Sequence, residues 1–103
     1  MKGVIERKRY NTQTAEELAR ADNLLSDSDF AYCRESLFRT KKGAFFLAGM
    51  GGALSKYSRA CGNGRCEGRG IIPLSEDEAF CWLEENKEVE LLEKYFPDKL
   101  QDA

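Results

Sequence analysis

The sequence predicts an α+β fold: a small antiparallel sheet centred on a β-hairpin, one helix after the first strand, and two amphipathic helices at the C-terminal end. Three observations carry this. The chain has 103 residues, 42% of them hydrophobic, which suits one core and little more, so residues 1–103 read as a single domain. Residues 31–48 alternate in polarity and reverse at a glycine, as a hairpin requires. From Ser75 onward apolar side chains recur at helical spacing behind a helix-start signal.

Taken in order, Val4 to Tyr10 reads as a short strand. Thr14-Ala15-Glu16-Glu17 follows with a threonine and a glutamate at capping-box spacing, so a first helix is expected there. Its apolar stripe is Ala15, Leu18 and Ala19, and it ends at the turn-forming run Ser26-Asp27-Ser28-Asp29. Ala31 to Thr40 alternates like a strand, with Tyr32 and Phe38 on one face and Cys33 and Leu37 on the other. Lys41-Lys42-Gly43 allows a tight reversal because glycine tolerates positive φ, and Ala44 to Ala48 returns as a more buried strand.

Gly49-Met50-Gly51-Gly52 is expected to break that strand, which makes residues 49–70 a long Gly/Arg-rich loop. A loop of that length in so small a domain is a candidate site before its chemistry is considered. Ile71 to Leu74 adds a brief edge strand. Ser75-Glu76-Asp77-Glu78 is a second capping box, and it opens a helix with Ala79, Phe80, Trp82 and Leu83 on its core side. A last helix carries Val89, Leu92, Tyr95 and Phe96 until Pro97 stops it.

Charge is polarised along the chain. Residues 1–70 hold thirteen Lys/Arg against eight Asp/Glu, and residues 71–103 hold three against ten, within a net charge of −2. The two halves either present opposite surfaces that steer a charged partner or face one another and cancel. The charged N-terminus, Met1-Lys2-Gly3-Val4-Ile5-Glu6-Arg7-Lys8-Arg9, breaks any apolar stretch early, so neither a signal sequence nor a membrane span is expected, and the location that follows is cytoplasmic. In that compartment Cys33, Cys61, Cys66 and Cys81 read as free thiols or metal ligands rather than disulfides. Cys61-Gly62-Asn63-Gly64-Arg65-Cys66 is a knuckle that could hold zinc with Cys33 and Cys81; buried or incidental thiols are the alternative, since only one closely spaced pair exists. Zinc is the one cofactor for which the sequence offers ligands.

No histidine is present, which removes Ser-His-Asp and Cys-His chemistry and the side chain best suited to proton transfer near neutral pH. Gly49 to Lys56 resembles a phosphate cradle only superficially, because its spacing fits neither the Walker nor the dinucleotide pattern. The protein is therefore expected not to be an enzyme. Basic residues gather instead in three places: Lys2, Arg7, Lys8 and Arg9; Arg34, Arg39, Lys41 and Lys42; and Lys56, Arg59, Arg65 and Arg69, with Tyr10, Tyr32 and Tyr57 among them. If they converge, they form a patch for phosphate backbones or an acidic protein surface, with tyrosines to stack or anchor. Otherwise they are ordinary charges that cover a sheet and blunt its edges. The binding candidates are Arg34, Arg39, Lys41, Lys42, Lys56, Tyr57, Arg59, Arg65 and Arg69.

Tyr10-Asn11-Thr12 with Thr14-Ala15, Cys33 to Gly43, Gly51 to Tyr57, and Ile72 to Ser75 with Ala79 together resemble a group of small uncharacterised proteins of bacterial phages and mobile elements. The resemblance spans nearly the whole chain and implies a setting rather than a catalytic site. In that setting the expected role is a non-enzymatic factor that binds and inhibits or modulates a host protein or protein–nucleic acid complex, of anti-CRISPR type among others. A small nucleic-acid-binding module using the basic hairpin and loop face is the alternative, and a Cys-ligated zinc module a third.

Overall fold

The alternation of residues 33–51 builds the centre of the molecule. In a computed structural model that describes residues 1–103, β4 (Cys33–Arg39) and β5 (Phe45–Gly51) pair antiparallel, with Leu37 opposite Leu47 and Phe38 opposite Phe46. Gly43 closes their turn at φ +92°, where a side chain would be strained. The sheet is completed by β3 (Glu16–Asp22) beside β4 and β8 (Gly68–Leu74) beside β5, giving the order β3-β4-β5-β8, all antiparallel. Pro73 sits on β8, an edge strand, where its missing N–H costs no internal ladder bond.

Each face of this sheet has its own cover. On one, Leu37, Phe45 and Leu47 pack against Ala79, Trp82, Leu83, Leu92 and Phe96 of the C-terminal segment, which forms α1 (Glu76–Glu85), α2 (Val89–Tyr95) and a 3-10 turn (Pro97–Lys99). On the other, Phe38, Phe46 and Ala48 meet Tyr10 from a small hairpin made of β1 (Lys2–Ile5) and β2 (Lys8–Asn11). Phe46 stacks on Phe38 at 5.2 Å and takes the Tyr10 ring edge-on at 5.3 Å. Complete burial of Phe46, Leu37 and Leu83 stabilises the fold by about 2–3 kcal/mol each. The α+β class is as expected, and the second capping box forms: Ser75 Oγ accepts from Glu78 N, and Glu78 returns a carboxylate oxygen to Ser75 N. No helix is long and apolar enough to cross a membrane.

Five expectations are corrected. Val4 to Tyr10 is not one strand but the β1–β2 hairpin, turning through Glu6 and Arg7 at φ +50° and +68°. Both residues are in the left-handed region, the geometry of a two-residue turn that matches strand twist, although neither is a residue that adopts it cheaply. The expected first helix is β3. Its good helix formers are overridden because pairing with β4 puts Ala19 and Ala21 against the helix-side core, and a bulge between Glu17 and Ala19 absorbs the extra residue. The glycines after Ala48 do not break β5, which continues to Gly51. A Cβ at Gly49 would lie 2.7 Å from the Tyr57 ring and 2.6 Å from the Arg34 carbonyl, so glycine lets a tyrosine close over the strand. Residues 49–70 are accordingly no open loop: they hold the end of β5, a turn, a hairpin of β6 (Arg59–Cys61) and β7 (Gly64–Cys66), and the start of β8. On α2, Val89 is exposed rather than core-facing.

Candidate anion-binding groove

The hairpin β1–β2 and the turn between β4 and β5 bring parts of two of the three basic clusters together. Thr40 fixes one wall: its N–H donates to the Ala44 carbonyl at 2.8 Å, its carbonyl accepts from Gly43 N, and its hydroxyl accepts from Ala44 N at 3.0 Å. Lys41 and Lys42 are thereby held at the tip. Asn11 fixes the other wall, its side chain accepting from Gln13 N at 2.9 Å and its carbonyl accepting from Thr14 and Ala15. Between them lies a groove of about 580 Å³ lined by Arg7, Lys8 and Arg9 on one side and Lys41 and Lys42 on the other, with Tyr10 and Asn11 beneath. All five cationic side chains belong to exposed residues, and no carboxylate lines the groove. Like charges gathered without a counterion destabilise the fold slightly and raise the local concentration of anions.

The remaining candidates are placed elsewhere, most of them engaged within the fold. Arg34 on β4 pairs with Asp22 at 3.2 Å and with Asp27, and lies 5.2 Å over the Tyr32 ring. Arg39 covers Tyr95 and Phe45 at the α2 end of the sheet. Lys56 and Tyr57 both serve Glu35: Lys56 Nζ donates at 2.8 Å and the Tyr57 hydroxyl at 2.7 Å, while Trp82 Nε1 of α1 supplies a third donor at 2.8 Å. Burial alone would raise the Glu35 carboxyl; the hydrogen bonds from Lys56, Trp82 and Tyr57 outweigh it and hold the group below the usual range. Burial first, and then Glu35, push the Tyr57 hydroxyl far up. Arg65 donates to the Ser58 hydroxyl and carbonyl. Arg59 and Arg69 remain exposed and line a separate groove with Tyr32, Met50 and Glu67.

The cysteines do not assemble. Cys61 and Cys66 form a disulfide across β6–β7, contrary to the expectation of free thiols: they are diagonal in the hairpin, Cys61 opposite Gly64 and Cys66 opposite Arg59, with their Cα atoms 6.0 Å apart, within the reach of such a bond. Cys33 is half-buried, and burial followed by the Glu35 charge pushes its thiol up, away from the thiolate that a metal needs. Cys81 is exposed on α1. No three Cys, Asp or Glu side chains converge in a way that could hold a metal ion.

Of the nine binding candidates, then, only Lys41 and Lys42 line the five-cation groove, and their partners come from the first basic cluster. Thr14 and Asn11, which shape the wall, carried no sequence signal of a site. No protein-family model matches the chain, and no curated protein or solved structure is significantly similar to it.

Proposed function

We propose that this protein is a non-enzymatic binding domain that takes the phosphate backbone of a nucleic acid into the groove between the β1–β2 hairpin and the β4–β5 turn. The observation that carries the reading is the meeting of Arg7, Lys8, Arg9, Lys41 and Lys42 around one groove with no acidic residue among its lining. Lysine and arginine contacts to phosphates release counterions and give affinity without base readout. The acidic C-terminal helices cover the opposite face of the sheet, so approach of a polyanion is favoured from the hairpin side. A protein–nucleic acid complex of a host remains the partner class, with the contact assigned to its nucleic acid and the setting supplied by the likeness to phage and mobile-element proteins.

Lys41→Glu/Lys42→Glu tests this. In fluorescence anisotropy with labelled DNA and RNA, the variant should bind at least tenfold more weakly at about 0.1 M salt, and its affinity should fall less steeply with added salt. Unchanged affinity for every nucleic acid would sink the reading. So would capture of a host partner that survives nuclease and is lost in the same variant, which would point to an acidic protein surface instead.

A further inference from the structure

The groove has a counterpart at the other end of the same sheet face. Even-numbered residues of β4 and β5 share that face with odd-numbered residues of β8, since Met50 pairs with Arg69 and Ala48 with Ile71. Ala44, just before β5, lines the five-cation groove; Met50, near the strand's end, lines the groove of about 450 Å³ that holds Arg59 and Arg69. Six residues of extended chain separate them, about 20 Å at 3.3 Å per residue.

The face between is traversable. A trough of about 470 Å³ shares Met50 with the Arg59–Arg69 groove and reaches Thr12, next to Asn11 of the first groove. Its acidic residues Glu17, Asp22 and Glu35 are each paired, with Arg20 at 3.0 Å, with Arg34 and with Lys56 at 2.8 Å. In the second groove Glu67 accepts a bond from the Tyr32 hydroxyl at 3.3 Å and faces two arginines for which no ion pair forms. Tyr10 and Tyr32, the aromatic residues of the two grooves, are buried, so neither offers a stacking platform of the kind that single-strand binders use.

Resting on the proposed binding of phosphate backbones in the first groove, we infer that Arg59 and Arg69 form a second phosphate site, so that the ligand is a nucleic-acid duplex lying across the outside of the hairpin face, in the direction of β5, and touching both. With backbone phosphates spaced about 3.4 Å per strand along the duplex axis, about six base pairs are the shortest length that reaches from one site to the other.

The test compares hairpin-closed DNA stems of about four and about twelve base pairs, and a single strand of the longer length, by anisotropy across a salt series. Arg59→Ala/Arg69→Ala should weaken the long stem about tenfold and lower its salt slope by about two, and leave the short stem unchanged. Arg69→Glu should deepen the loss for the long stem alone. Equal weakening of both stems, or none for the long one, overturns the second site. Single-strand binding as tight as the long stem and equally sensitive to the arginines overturns the duplex. If Lys41→Glu/Lys42→Glu leaves all three probes unaffected, the first groove itself is wrong; if only the arginine variants are silent, the first groove stands and the second falls.

Discussion

The helix face of the central sheet and the groove at the rim of its other face treat charge in opposite ways. On the helix side, ionised groups are drawn into the packing: Glu35 is met by Lys56, Tyr57 and Trp82, and Arg39 lies over Tyr95 and Phe45. On the hairpin side, a smaller cluster around Phe46 holds β1–β2 in place, and the cations at its rim have no carboxylate in their groove. The difference teaches how to sort a chain with sixteen basic residues. A cation with a partner inside the fold contributes to stability and is lost to ligands, whereas one held in place by backbone hydrogen bonds, with no counterion, remains available.

Removal of Glu35 should separate the two faces most strongly. Glu35→Ala leaves a tyrosine hydroxyl and an indole N–H without an acceptor beside an unpaired lysine, and should lower stability in urea by about 3–4 kcal/mol. Below the melting temperature its affinity for nucleic acid should match that of the wild type. A loss under about 1 kcal/mol, or weakened binding by a folded variant, breaks the division. A smaller effect follows from titration. Because the folded carboxyl lies below its unfolded value, Glu35 stabilises the protein above the unfolded pKa, and that contribution disappears as pH falls through the folded one. The urea midpoint should therefore drop on acidification more in the wild type than in Glu35→Gln; parallel curves would mean that Glu35 is not the group responsible.

The helix face was far more legible in the sequence than the hairpin face. Thr14-Ala15-Glu16-Glu17 and Ser75-Glu76-Asp77-Glu78 carry the same start signal, yet only the second opens a helix. Behind Ser75, Ala79, Trp82 and Leu83 fall on one helical stripe, so local and tertiary preferences agree. Behind Thr14, Ala19 and Ala21 sit two apart, a strand period masked by helix-forming neighbours and by the bulge at Leu18. The glycines of β5 misled for a similar reason: Gly49 is required by the closeness of Tyr57, eight residues on, and Gly51 by that of Ser55 and the Tyr32 carbonyl, contacts that no local pattern announces. Lys41 and Lys42 were readable as candidates because a glycine turn marked them. Arg7, Lys8 and Arg9 were visible as charge, but their place in the groove depends on a turn at Glu6-Arg7 that lacks turn residues.

That turn supplies the finest test of the division. Both residues are in the left-handed region, and such strain tends to persist where it serves a site. Glu6→Asn/Arg7→Gly provides the pair most suited to this geometry and should raise stability by about 1 kcal/mol. The same change deletes one of the five groove cations, so affinity for nucleic acid should fall a few-fold and the salt slope by about one. Glu6→Asn alone, which keeps Arg7, should give part of the stability with none of the loss. If the double variant is stabilised and binds as before, Arg7 is not a contact and the groove narrows to four cations; if Glu6→Asn alone weakens binding, the hairpin's strained shape, and not only its charge, presents the ligand site.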